Sequence, residues 1–316
     1  MASLNSTSDF LLLEFSKVQE LQILHFFVFL VVYLIAMTGN LIIILSVAFD
    51  HHLHTPMYFF LMNLAILDIG SVSVVIPKSM ANSLLNRRSI SYSGCVAQVF
   101  FLFSFGGSDF AILIAMAYDR YVAICKPLQY GTIMHKGACI QMAGSAWISG
   151  ILYAILHTAG TFAITFCSNM VNQFFCEVPQ LLKLACSDLY LVEIGLLILS
   201  FIVVLGCFIF IFLTYMEIVA TVLRIPSVQG QKKALTTCLP HLTVVSLLVF
   251  TGMFAYVRPP ANTSSDLDIV FAVIYAILPP LLNPFIYSMR NKEIKTALLK
   301  LFNSGHSSSV TNRTIP

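Results

Sequence analysis

Charge is what this chain has least of. Of 316 residues only 10% are Asp, Glu, Lys or Arg, while 58% are hydrophobic, and the mean hydropathy is +0.89. A soluble domain so poor in charge would expose an aggregating surface, so that class is excluded. Tryptophan is nearly absent too, with one residue against 26 Phe and 12 Tyr. Aromatic bulk therefore comes mostly from Phe, which needs no polar partner in an apolar medium. A net charge of +3 is too small to serve nucleic acid. The chain shows no nucleophile and base pair, no phosphate loop and no metal motif, which argues against an enzyme and implies no cofactor. Its first 22 residues lack a basic start followed by an apolar core, so no cleavable signal peptide is expected.

What the chain does have is seven apolar runs, at about 25–48, 57–80, 96–121, 138–161, 191–222, 235–257 and 268–289. Each is near the ~20 residues that cross ~30 Å of hydrocarbon. The expected fold is an all-α membrane protein, a seven-transmembrane helix bundle, with its ends on opposite sides. If the N-terminus is outside, eleven of the 17 Lys and Arg face the cytoplasm: Arg120, Lys126, Lys136, Arg224, Lys232, Lys233, Arg290, Lys292, Lys295, Lys300 and Arg313. That bias supports the orientation. The chain then divides into an extracellular tail (1–22), the seven-helix bundle (23–290) and a cytoplasmic tail (291–316), where NKEIKTALLKLF reads as a short amphipathic helix. A transporter or channel would show inverted repeats or a charged path, and neither is visible.

Of the eight cysteines, Cys95, Cys167, Cys176 and Cys186 fall outside, where oxidation is allowed. Four cysteines permit three pairings. A metal site in their loop is disfavoured by the lack of CxxC or a nearby His. Asn5 opens an Asn-Ser-Thr sequon on the outer tail and is the expected glycosylation site; Asn262 is a weaker candidate and Asn312 is cytoplasmic.

The third run ends in Asp119 and Arg120, within MAYDRYVAIC (116–125). At ~100° per residue, positions 11 apart lie about 20° from each other around a helix, so Leu102, Gly106, Asp109, Leu113, Met116 and Arg120 share a face. A carboxylate is costly against lipid, which turns that face inward. The same spacing aligns His241, Val245, Leu248, Gly252 and Tyr256 on the sixth run. Asp109 and His241 fall at similar depth and are expected to share a charge-assisted hydrogen bond between the two helices.

LHTPMYFFLMNLAILD (53–68), MAYDRYVAIC, KALTTCLPHLTVV (233–245) and PPLLNPFIYSMRNKEIK (279–295) resemble the four signature blocks of vertebrate olfactory receptors. These are the odorant-sensing branch of the rhodopsin-like G-protein-coupled receptors, and the long LHTPMYFF block is similar to the tetrapod-type class. With Gly39-Asn40 and a three-cysteine outer loop, the resemblance runs from about residue 10 to 300.

The resemblance implies that Asp119 holds Arg120 at rest and releases it to the G-protein when the sixth helix swings out, with Tyr215 and Tyr287 as companions. It implies a mid-membrane polar cluster of Asn40, Asp68, Asn283 and Asp109 that holds water or sodium, the sodium at Asp68 and Asp109. Cys95 would pair with Cys176, and Cys167 with Cys186. Ligand contacts are expected from Leu102, Phe103, Gly106 and Gly107, from Leu199 and Val203, from Gly252, Met253 and Tyr256, and from Val273 and Ala276. The outer halves of the third, fifth, sixth and seventh runs carry no acid or base expected to be buried, and Leu102 stands where amine receptors of the wider family need a carboxylate. A small, neutral, largely apolar volatile odorant therefore fits. Thr251 precedes Gly252 where the family carries an aromatic, which weakens carry-over on that helix. Further implications are a stimulatory G-protein that raises cyclic AMP, a trafficking chaperone, and the plasma membrane of olfactory cilia. A chemosensory receptor of the same branch, working on a metabolite outside the nose, is the alternative.

Overall fold

The computed structural model describes residues 9–13, 18–85, 87–257, 266–288, 293–297 and 299. Seven helices are long and apolar enough to cross a membrane: α1 (Gln19–Phe49), α2 (Pro56–Leu85), α3 (Tyr92–Cys125), α4 (Lys136–Phe162), α5 (Tyr190–Leu223), α6 (Val228–Val257) and α7 (Asp266–Ser288). All seven apolar runs are helices, and several outrun the apolar stretch because a helix continues past hydrocarbon wherever polar residues keep its backbone bonded. The outward faces are apolar as well, with Phe27, Leu152, Ile202 and Phe254 each more than half exposed. That is the surface of a multi-pass membrane protein, where lipid replaces water.

α3 runs through the middle, packed against α2, α4, α5 and α6. Its fit to α4 depends on small residues. A Cβ added to Gly150 would collide with the Ser108 hydroxyl and the α3 backbone, and one on Gly107 would stand 3.2 Å from Gly150 Cα. Small residues let helix backbones approach where lipid gives no hydrophobic drive to association. The single Trp, Trp147, donates from Nε1 to Asn63 Oδ1 at 3.1 Å and so ties α4 to α2.

One end of the bundle is capped. β1 (Phe10–Leu12), from the N-terminal tail, lies between β2 (Ser89–Ile90) and β3 (Met170–Val171), antiparallel to the first and parallel to the second. Phe10 and Leu12 are buried beneath it. Disulfides join Cys95 to Cys176 and Cys167 to Cys186 at this end. At the opposite end lie the Asp119-Arg120 pair, the short helix Tyr130–Ile133 and a helical piece at residues 293–297. Ile294 and Ala297 of that piece are buried, and Tyr58 of α2 donates to Glu293 Oε2 at 2.6 Å. Asn5, Asn262, Asn312, Lys17, Arg258, Arg290, Lys292, Lys300 and Arg313 lie outside the described residues.

Candidate ligand cavity and switch

Toward the disulfide end lie Phe103 and Gly106 of α3 and Gly252, Met253 and Tyr256 of α6. Nothing stands within 4 Å of where Gly106 or Gly252 would carry a Cβ, although helix spacing turns both toward the interior. The rings of Phe103 and Tyr256 stand 6.5 Å apart, one from each helix. Leu102, Val273 and Ala276 pack nearby with Phe174 and Phe175 of the loop after α4.

Three expected members lie elsewhere. Gly107 meets α4 rather than open space. Leu199 and Val203 project away from the bundle, 56% and 57% exposed. The inward face of α5 instead runs through Glu193, Leu197, Ser200, Val204, Phe208, Ile211 and Tyr215. α5 is apolar all round, so hydrophobicity gives no sign of which face is inner.

The outer half of α5 also holds an acid, contrary to the sequence reading. Glu193 is fully buried, and its Oε1 lies 2.6 Å from Nδ1 of His157 on α4, which is fully buried too. The other ring nitrogen, Nε2, meets Ser200 Oγ at 2.9 Å. Phe103 stacks on the imidazole, 4.9 Å away and 8° from parallel. Gly160 makes room for the carboxylate, since any Cβ there would collide with Glu193 Oε2. The signal was present in the sequence: a His inside an apolar span is expensive without a partner. A second buried acid, Glu177, follows Cys176 in the loop and accepts from Tyr275 on α7 at 2.9 Å.

Midway along the bundle Asn283 donates to both oxygens of Asp68, at 3.2 and 2.9 Å. Asn40 donates to the carbonyls of Ala36 and Pro280, at 2.9 and 3.0 Å. The α1–α7 approach beside it is close, because a Cβ on Gly39 would stand 2.7 Å from Pro284 Cβ. Asp109 is buried nearby. It does not meet His241, which spends Nδ1 on the Tyr215 hydroxyl at 2.8 Å and Nε2 on the Leu113 carbonyl at 3.0 Å. The expected Asp109–His241 bond is not formed; α6 meets α3 instead at the Leu113 backbone carbonyl, one turn beyond Asp109. A neutral imidazole satisfied on both sides avoids burying charge.

At the far end Arg120 is buried. The sequence reading gave it to Asp119, yet Asp119 Oδ1 accepts from Tyr130 at 2.8 Å, and among the described residues no ion pair joins Asp119 to Arg120. Burial and the adjacent carboxylate push the Tyr130 hydroxyl well above its ordinary pKa, so it stays a donor. Tyr287 and Tyr215 are buried close by.

Residues 29–304 match the olfactory receptor family model. The chain belongs to the olfactory receptor family. Human olfactory receptor 14I1 is 50% identical over 96% of this chain and 97% of its own length. Human olfactory receptor 14A16 is 49% identical over 94% and 96%, and olfactory receptor 1G1 of Gorilla gorilla gorilla 44% identical over 95% and 96%. This olfactory receptor is an odorant G-protein-coupled receptor with seven spans, and not an enzyme.

Proposed function

We propose that this receptor sits in the plasma membrane with its disulfide end outside, binds a small, neutral, largely apolar volatile odorant between α3 and α6, and activates a stimulatory G-protein to raise cyclic AMP. The observation that supports the reading is that α3 and α6 meet at Phe103 and Tyr256, rings 6.5 Å apart, with no neighbour within 4 Å of a Cβ at Gly106 or Gly252. A site built from ring faces and missing side chains holds its ligand by burying apolar area, about 25 cal/mol per Å². The two acids beside it do not favour a cationic ligand. Glu193 is matched by His157, and Glu177 is hydrogen bonded by Tyr275 and Gln173.

The contacts proposed are Leu102, Phe103, Gly106, Gly252, Met253, Tyr256, Val273 and Ala276. Signalling would pass through the α6 contact with α3. His241 fastens α6 to Leu113, and outward movement of α6 breaks that bond and opens the surface around Arg120, Tyr215 and Tyr287 to the G-protein. A ligand shifts this equilibrium only if it binds the open state better. Asp68, Asn283 and Asp109 form the resting polar cluster, which takes water or sodium.

The test is a panel of neutral odorants applied to cells that express the receptor with a trafficking chaperone, with cyclic AMP as the readout. Responses that Gly106→Leu abolishes at equal surface level support the reading. Responses indifferent to Gly106→Leu would place the ligand elsewhere.

A further inference from the structure

Phe103 of α3 belongs to a group of rings in mutual contact. It lies parallel to the His157 imidazole of α4 and meets Tyr153, one turn earlier on α4, at 5.4 Å with the rings inclined by 68°. Tyr153 and His157 are themselves 4.4 Å apart and inclined by 66°. From α6, Tyr256 meets Phe103 at 6.5 Å, inclined by 68°.

For filling space alone, a histidine is a poor choice among these rings. Phe or Leu would pack there with no polar atom to satisfy, whereas an imidazole inside a membrane span needs a partner for each nitrogen. α5 supplies both. Glu193 Oε1 meets Nδ1 at 2.6 Å, Ser200 Oγ meets Nε2 at 2.9 Å, and the Ser200 hydroxyl is itself tied to the Leu196 carbonyl at 2.8 Å. Bonds at two ring atoms fix the imidazole plane, because the ring cannot turn about its Cβ–Cγ bond without bending or losing one of them. Phe103 lies 8° from parallel on that ring, so the orientation of an α3 side chain is set from α5 through α4. A buried network with both nitrogens satisfied rigidifies what packs on it.

We infer that Glu193, His157 and Ser200 are positioning residues for odorant choice: they hold Phe103 as a fixed aromatic wall, so that the receptor selects neutral odorants with a flat aromatic ring over their saturated counterparts. This rests on the odorant reading above and adds the chemical class of ligand and the residues that set it. A ligand ring gains from a protein ring only in an offset or edge-to-face arrangement, with centroids about 4.5–7 Å apart. A Phe103 free to change rotamer would have to be ordered at every binding event, and the entropy lost would offset that gain. Pinned by the imidazole, it is ordered before the ligand arrives, and Tyr256 offers a second ring from α6. A cyclohexyl ring has no quadrupole to match, so it gains from area burial alone.

The experiment measures half-maximal concentrations for cyclic AMP with pairs that share a functional group and differ in ring saturation: benzyl alcohol and cyclohexylmethanol, acetophenone and cyclohexyl methyl ketone, anisole and cyclohexyl methyl ether. Wild type is expected to favour the aromatic member of each pair by about two- to tenfold, the worth of one ring–ring contact. Glu193→Leu and Ser200→Ala each release one imidazole nitrogen and should level that ratio at equal surface display. Glu193→Gln should keep it, because an amide can meet Nδ1 with either its oxygen or its NH2. Phe103→Leu should level the ratio too, and adding Ser200→Ala to it should move the ratio no further, a result that a general loss of stability would not give. If Glu193→Leu fails to reach the surface, Ser200→Ala decides. A ratio unmoved in whichever of these two is displayed, effects of Ser200→Ala and Phe103→Leu that add, or a wild type that prefers the saturated members overturns the inference. Equal activation by both members of every pair sinks it while leaving the odorant reading standing, whereas silence toward every compound counts against both.

Discussion

Cutting the buried pair between α4 and α5 is the sharpest test of how the disulfide half of this receptor is held. Glu193→Ala leaves the His157 ring fully enclosed with nothing at Nδ1, where the carboxylate stood at 2.6 Å. Removing one partner of a buried pair costs about 3–5 kcal/mol, of which the charge-assisted bond is about 1.5–3 and the rest is the stranded group. His157→Phe strands the carboxylate in the same way, while keeping a ring for Phe103 to stack on. The double variant removes both polar groups together, so neither is left stranded, and its loss should be smaller than that of either single change. For a chain of this size each kcal/mol moves the thermal midpoint by about 2 °C. Purified receptor in detergent should therefore lose about 6–10 °C in each single variant and clearly less in the double. Losses in the double that equal the sum of the singles within about 0.5 kcal/mol would refute the pairing.

Arg120→Ala should abolish odorant-driven cyclic AMP in cells that still display the receptor; full signalling would return Arg120 to a packing role. Tyr130→Phe removes the donor that occupies Asp119 and frees that carboxylate for the neighbouring Arg120, so basal cyclic AMP is expected to fall; a baseline that rises or stays unaltered would disprove it. Asp109→Asn and His241→Phe should act independently, because His241 bonds Tyr215 and Leu113; a coupling above about 1 kcal/mol in their cycle would restore a direct bond. Gly39→Val, forced against Pro284, should cut surface display by an overpacking cost of about 1–3 kcal/mol, read by flow cytometry.

The spans were legible because hydropathy over twenty residues needs no knowledge of neighbours, and the inward stripe of α3 because one carboxylate marks it. Partners were harder. His157 and Glu193 lie 36 residues apart on different helices, and only packing brings them within reach. Tyr130 sits on a single helical turn after α3, where sequence gives no bearing for a side chain. His241 was placed on the inward face but level with Asp109, one turn from the Leu113 carbonyl it meets, and a helix carbonyl has no signature in sequence. Leu199 and Val203 were assigned inward on a helix whose apolar residues cover every side. The pairing of the cysteines came from family likeness and not from spacing, and the structure contains the same two bridges.

The strand order at the capped end sets a timetable for biogenesis. β1 begins at Phe10 and its parallel partner begins at Met170, 160 residues later. At about 5–20 residues per second, the tail of a receptor in the proposed orientation waits some 8–32 s in the lumen before this second neighbour is made. During that interval Phe10 and Leu12 have β2 beside them but lack the β3 side of their cap. A purification tag or leader fused just ahead of Phe10 occupies the same waiting segment, so its linker length should control how much receptor leaves the endoplasmic reticulum.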